Sequence, residues 1–310
     1  MNKDFLSIHD LTPYEFHEIL DLAEDVKAHP DKYRKALKNQ VLAMVFEKPS
    51  LRTRMTFEVG MMELGGKAIY LSPNEIQIGK RETVEDVAHN LERWVDGIMY
   101  RSFSHDDAVR MARTAKIPVI NALSDKSHPC QGMADIFTFR EHKGGLSKLK
   151  LAYVGDGNNV CHSLMLAAAK AGTHMGVATP EGYEPDPEYV RWSLEDGKET
   201  GFQLRITNDP LETAAGADAI YADVWASMGQ EAEKEARTRI FAPYQVNAAL
   251  MAAAKPDAVF MHCLPAHRGE EVSAEVFESP ASVVFDEAEN RLHVQKAIML
   301  RLMAKKEKHG

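Results

Sequence analysis

VLAMVFEKPSLRTRMTFE, residues 41–58, holds a strand, a turn and a helix start in one stretch. The apolar run 41–46 reads as a strand, Pro49 and Ser50 form the turn, and a helix begins through Leu51 to Arg54. The same alternation repeats outward from it. AIYL (68–71), GIMY (97–100) and IPVI (117–120) read as further strands of a first half. LAYVGD (151–156), MGVAT (175–179), QLRIT (203–207), AIYADVW (219–225), AVFMHCL (258–264) and SVVFD (282–286) do so in a second. Helical periodicity fills 83–94, 105–116, 158–171 and 186–199 between them. Strands alternating with helices define an α/β protein with mainly parallel sheets flanked by helices.

At 310 residues the chain exceeds what one core usually organises, so two domains, and a cleft between them, are expected. The polar, glycine-containing stretch EHKGGLSKLK (141–150) is the best boundary. The expected domains are 1–140 and 141–290, with 291–310 as a C-terminal helix packing back on the first. That terminal helix is read over Glu289 to Lys308, with Leu292, Ile298, Leu300 and Leu302 as its apolar surface.

A composition 45% hydrophobic and 27% charged is that of a globular protein. A net charge of -9 argues against a nucleic-acid partner, so an anionic ligand must be met by a local group of arginines. The opening MNKDFLSIHDLTPYEF lacks an apolar h-region, and no window approaches the ~18 apolar residues of a membrane span. A cytoplasmic protein is expected. Cys130, Cys161 and Cys263 form no C-x-x-C pair and are odd in number, which fits a reducing compartment without disulfides or structural zinc.

The strongest chemical signal is FEKPSLRTRMTFE (46–58). A helix N-terminus offers unpaired N–H groups and partial positive charge, and Ser50, Arg52 and Thr53 add donors suited to a phosphate. The alternative is a serine N-cap followed by solvated arginines. Arg101 follows the strand GIMY, where open α/β sheets place ligand contacts. HPCQ (128–131) puts His128 and Gln131 one turn apart at the start of a long helix. Either is equally a cap or a satisfied buried group.

VGDGNN (154–159) suggests a dinucleotide turn, but Val160 stands where the third glycine belongs, so a nicotinamide dehydrogenase is a weak alternative. The turn still presents Asn158 and Asn159 at a helix start. In DVWASMGQE (223–231), Asp223 is a carboxylate at an apolar strand end, fit to hold a substrate ammonium. Ser227, Met228 and Gly229 would then form a lid; the alternative for Asp223 is a helix cap. MHCLPAHRGEE (261–271) places Cys263 beside His262, where nearby arginines would stabilise a thiolate. His262 and His267 lack a third ligand at recognisable spacing, so no metal site is expected.

Together these motifs resemble the transcarbamoylase family across nearly the whole chain. FEKPSLRTR resembles its carbamoyl phosphate motif and HPCQ its second substrate motif, while D-x-W-x-SMG and HCLP are similar to the ornithine branch. The resemblance implies that Ser50, Leu51, Arg52, Thr53, Arg101, His128 and Gln131 surround carbamoyl phosphate, with Gln77 of a neighbouring subunit reaching in. It implies that Asn159, Asp223, Ser227 and Met228 hold ornithine, and that Cys263, Leu264 and Arg291 close the site between both substrates. Arg52, Arg101, His128 and Cys263 are its implied catalytic groups. It further implies a homotrimer, or an assembly of trimers, with shared active sites and no cofactor.

One departure is Leu51, where the family commonly has S-T-R-T-R. The backbone N–H of Leu51 remains available, and the acceptor is the point the change touches. N-acetylornithine, N-succinylornithine and putrescine are the alternative acceptors, and a non-catalytic scaffold is the alternative of another class.

Overall fold

The computed structural model describes residues 3–226 and 233–304. It divides into two compact units, Met1–Met133 with Arg291–Gly310, and Ala134–Asn290.

The first unit is built on β1 (Val41–Phe46), β2 (Lys67–Leu71), β3 (Gly97–Arg101) and β4 (Val119–Leu123), in the order β2-β1-β3-β4. Every pairing is parallel; Met44 of β1 lies opposite Tyr70 on one side and Met99 on the other. Parallel neighbours need crossovers, supplied by the helices Leu51–Glu63, Val84–Leu91 and His105–Thr114. Val45, Ile98 and Tyr100 from the sheet pack with Val87 and Met111 from two of those helices. The order reverses between β1 and β3: one crossover leaves toward β2 and the other toward β4. Neither covers the carboxyl ends of the two central strands, and ligand sites arise at such switch points.

The end of the chain completes this unit. A Cβ added at Gly60 would stand 2.9 Å from Met299 Cε and 3.3 Å from Lys296 Cγ, so glycine permits the close approach of the helix Val284–Met303. Lys296 Nζ reaches Glu63 Oε2 at 2.7 Å, and Gln40 Nε2 donates to Met303 O at 2.9 Å.

The second unit carries β5 (Lys150–Val154), β6 (His174–Ala178), β7 (Leu204–Thr207), β8 (Ala219–Ala222) and β9 (Val259–His262). Their order is β7-β6-β5-β8-β9, again all parallel, with the reversal between β5 and β8. Val154, Ile220 and Phe260 pack with Val246, Leu250 and Phe277. The helix Asn159–Ala171 is buried from Val160 onward, including Lys170, whose Nζ pairs with Asp196 at 2.9 Å. Both glycines of VGDG have local reasons. Gly155 adopts φ 147, and a Cβ at Gly157 would lie 2.3 Å from Pro185 N. The tight turn is thus demanded by packing against the 184–185 backbone, without any dinucleotide.

Several expected elements shift. SVVFD is not a strand: Ser282 makes a single bridge to Phe260, and the chain then enters the helix Val284–Met303, whose first turn carries Asp286 and Glu287. The apolar triplet was long enough to touch the sheet edge and too short to continue along it. The terminal helix therefore begins earlier than Glu289. IPVI contributes its end to β4, which runs on through Asn121 to Leu123. AIYADVW pairs only through Ala222, leaving Asp223 just beyond the strand. The helix Pro13–Ala28, with a Thr12 capping box, precedes the first expected element.

Gly157→Ala is expected to destabilise the protein by about 1–3 kcal/mol, the usual range for overpacking, because the colliding atoms are backbone. Thermal unfolding of the second unit's transition measures this; an unchanged Tm would contradict the close-approach reading.

Candidate active site

In the first unit the polar groups gather at the carboxyl ends of β1 and β3. Ser50 caps the helix Leu51–Glu63, its Oγ accepting from Thr53 N at 3.3 Å and donating to Thr53 Oγ1 at 3.1 Å. Arg101, the last residue of β3, donates through Nη1 to Thr53 Oγ1 at 3.4 Å. Arg291 donates through Nη2 to the same oxygen at 3.5 Å and through Nη1 to Gln131 Oε1. Thr53, Arg101, His128, Gln131 and Arg291 are all buried; Arg52 is half-buried and Leu51 exposed. His128 immediately precedes the helix Pro129–Lys143. Burial, then the charges of Arg291, Arg101, Lys48 and Arg52, hold its pKa well below the usual histidine range, so the ring is neutral at pH 7. A neutral imidazole surrounded by cations at a helix N-terminus is an environment that favours a multiply charged anion.

Lys48 is the group that sequence reading passed over, although it stands within FEKPSLRTR. It is 8% exposed, with Nζ 5.0 Å from the centre of the Phe103 ring. Burial first, and Arg101 second, lower its pKa to about 8. Its position at the end of β1, two residues before the cap, was the available signal. Cys130 of HPCQ is structural: its buried thiol reaches Asn121 O at 3.6 Å and is pushed up to about 12 by burial.

In the second unit the groups gather at the ends of β5, β8 and β9. Asp223 follows β8 and is 4% exposed. Asn158 caps the helix Asn159–Ala171 through Oδ1, to Val160 N at 2.9 Å and Cys161 N at 3.2 Å, and its Nδ2 donates to Asp223 Oδ2 at 2.7 Å. Cys263 Sγ donates to Asp223 Oδ1 at 3.0 Å. Burial, reinforced by Asp223, raises the Cys263 pKa well above the usual thiol range. This corrects the expected thiolate: the neighbour is a carboxylate, and the thiol keeps its proton to donate it. Asp156 pairs with the buried Arg237, which also donates to Trp225 O; burial brings the Asp156 carboxyl up to about 6 despite the guanidinium. Arg237 lies in a polar helical stretch with nothing in the sequence to single it out.

The end of β9 is fixed from below. Glu287 accepts from His262 N at 3.0 Å and Tyr221 OH at 3.3 Å, and burial beside Asp135 raises its pKa well above the carboxylate range. Leu264, directly after Cys263, has left-handed backbone (φ 58), and its N–H donates to His262 Nδ1 at 2.8 Å.

Of the remaining expected site residues, Asn159 is the half-buried first residue of its helix, and Asn158 rather than Asn159 holds Asp223. Gln77 is exposed after the helix Pro73–Ile76, its backbone left-handed at φ 48. Ser227 and Met228 lie outside the described residues.

A buried group of cations and a buried carboxylate, each at the switch point of a parallel sheet, are what the fold presents to ligands, and comparison gives the class. Residues 3–141 match the carbamoyl-P binding domain, and residues 147–302 the Asp/Orn binding domain, of aspartate/ornithine carbamoyltransferases. The chain belongs to that family. It is 53% identical over 303 residues to the ornithine carbamoyltransferase of Thermococcus kodakarensis, covering 97% of this chain and 96% of the relative. The solved ornithine carbamoyltransferase of Pyrococcus furiosus matches with a TM-score of 0.95 at 50% identity, over 98% of each chain. The anabolic ornithine carbamoyltransferase of Campylobacter jejuni matches at 0.92 and 38% identity, over 97% of this chain and 99% of that one.

Because Lys48 is charged below about pH 8 and neutral above it, affinity of the free enzyme for inorganic phosphate should fall as pH rises through 8. In Lys48→Arg, charged throughout, that step should disappear. Calorimetric titration of phosphate at pH 7 and pH 9 tests this; parallel profiles for both proteins would remove Lys48 from the anion site.

Proposed function

We propose that the chain transfers the carbamoyl group of carbamoyl phosphate to the side-chain amine of L-ornithine, releasing L-citrulline and phosphate. The observation that carries the choice of acceptor is the buried Asp223, held by Asn158 and Cys263. A 4%-exposed carboxylate suits an acceptor bearing an ammonium and repels one bearing a second carboxylate, which separates ornithine from aspartate. The names of the relatives point the same way.

Carbamoyl phosphate is assigned to Ser50, the Leu51 N–H, Arg52, Thr53, Arg101, His128, Gln131 and Arg291. Ornithine is assigned to Asn159, Asp223, Ser227 and Met228, with Cys263 and Leu264 beside the reacting groups. The acceptor amine has a reference pKa of ~10.4, so deprotonating it at pH 7 costs about 4.6 kcal/mol. The cations around His128 disfavour a further positive charge and so favour the neutral amine. Its nitrogen attacks the carbamoyl carbon, the carbon–oxygen bond to phosphate breaks, and the proton shed by the nitrogen passes to the departing phosphate. In this reading Arg101, Thr53 and His128 donate to the developing oxyanion, and the arginines with the helix N-terminus take the charge of departing phosphate. The bonds balance without a covalent enzyme intermediate. Cys263, a protonated thiol donating to Asp223, orients that carboxylate rather than attacking.

We further propose a cytoplasmic homotrimer in which Gln77 enters a neighbouring subunit's site. In support, the exposed Ile69 (49%) and Trp94 (70%) flank an apolar recess of about 360 Å³ lined also by Leu71, Ile76 and Leu91. A second copy of the chain would cover that surface. No helix among the described residues is long and apolar enough to cross a membrane.

Assay of the purified protein with carbamoyl phosphate and, separately, ornithine, N-acetylornithine, N-succinylornithine and putrescine should give ureido product with ornithine alone. Product only with another acceptor would overturn the Asp223 assignment, and none with any would favour the scaffold. Arg101→Leu should lower kcat about 100-fold or more, the scale for loss of an oxyanion donor. Asp223→Asn should raise the KM for ornithine far more than that for carbamoyl phosphate, and Cys263→Ser should keep most activity.

For the assembly, sedimentation should give three times 34.6 kDa or a multiple of it. Hybrids refolded from inactive Arg101→Leu and Gln77→Ala chains should regain activity. Failure to regain any would place Gln77 outside a shared site.

A further inference from the structure

The turn after β9 holds a cluster that the reaction does not use. One carboxylate, Glu271, stands between two histidines that were unconvincing as a metal pair in sequence. His262 Nε2 meets Glu271 Oε1 at 3.2 Å, while His267 Nδ1 lies 3.6 Å from Glu271 Oε2. Glu271 is 0% exposed, and its Oε2 accepts no hydrogen bond among the described residues. A buried carboxylate oxygen left in that state is costly, and it faces the His267 ring.

The 3.6 Å separation exceeds a hydrogen bond but approaches the ~3.4 Å expected between two donors on one tetrahedral cation with ~2.1 Å bonds. Glu270 supplies a third donor, and one atom from each of His267, Glu270 and Glu271 lies within 4.8 Å of the others. Glu270 Oε1 meets Lys234 Nζ at 3.1 Å. The turn that carries them is closed by Gly269 N to Val272 O at 2.8 Å and Glu270 N to His267 O at 2.9 Å, with Gly269 at φ 92. His267 is exposed, giving an ion a way in.

Asp223, His262 and Cys263 also cluster, yet they are poorer candidates. His262 Nδ1 accepts from Leu264 N–H at 2.8 Å, so its proton sits on Nε2 toward Glu271. Both ring nitrogens are engaged, and the Cys263 proton is given to Asp223.

We propose that His267 Nδ1, Glu270 and Glu271 Oε2 bind a divalent transition cation of the zinc or cobalt kind at a site separate from the substrate residues. One imidazole with two carboxylates suits such ions over calcium, which takes six to eight oxygens. Bound there, the ion would satisfy the buried oxygen and tie the turn to the end of β9 through the Glu271–His262 contact.

The test is calorimetric and spectroscopic titration of tag-free, chelator-treated protein with Co2+ alone. Wild-type protein and Cys263→Ser should each bind one ion per chain with equal affinity and no thiolate-to-metal absorption, and Tm should rise with Co2+. His267→Ala and Glu270→Gln, altered at surface-accessible positions, should each bind about tenfold more weakly or worse. Unchanged binding in both variants, absence of binding in the wild type, or loss of binding in Cys263→Ser with a thiolate band would overturn the proposal.

Discussion

Parallel pairing with one reversal of strand order is the constraint from which both clusters of polar groups follow. A parallel sheet sends every connection back over a face, so the carboxyl ends of most strands lie under a departing crossover. Where two neighbouring strands send their crossovers in opposite directions, the ends stay open. In the first sheet that place is β1/β3, and it receives the Ser50 cap and Arg101. In the second it is β5/β8, and it receives the Asn158 cap and Asp223. The same geometry provides a helix N-terminus beside a strand end, so each opening already has directed N–H groups before any side chain is chosen.

The side chains then give the two openings opposite characters. Around His128 burial, and after it the charges of Arg291, Arg101, Lys48 and Arg52, keep the imidazole neutral. Around Cys263 burial, and after it the charge of Asp223, keep the proton on the thiol. One opening therefore favours an anion and the other a cation. An enzyme that joins a phosphorylated donor to an amino-acid amine needs both.

Much of this was legible in the sequence because β/α alternation is a local property. The run 41–46, the Pro49–Ser50 turn and the start at Leu51 emerged at those positions. Local reading failed where tertiary contact decides: SVVFD has the composition of a strand, but after one bridge it becomes a helix. The candidate site divides in the same way. Ser50, Thr53, Arg101, Gln131 and Arg291 were named from separate motifs, and the fold brings them into one hydrogen-bonded group. Lys48 was missed because a lysine at a strand end looks like surface until burial is known. Arg237 was missed because its partner, Asp156, lies 81 positions away. The thiolate expectation for Cys263 erred for a related reason: sequence neighbours suggested arginines, whereas the spatial neighbour is an aspartate.

The contact of Arg291 with Thr53 spans 238 positions, and the second unit is an insertion within the first. During synthesis the strands β1 to β4 emerge long before the arginine that shares their hydroxyl. Chain order and spatial order are therefore opposed: the first unit begins first and is finished last. A nascent chain that has made its helix Leu51–Glu63 and its Arg101 still lacks Arg291, the other donor to Thr53 Oγ1, until the whole second unit has been made. Because the intervening segment is itself a compact unit, its own folding shortens the effective loop that this contact closes. The hydroxyl of Thr53 thus gains its two guanidinium donors at opposite ends of synthesis, one before the second unit and one after it.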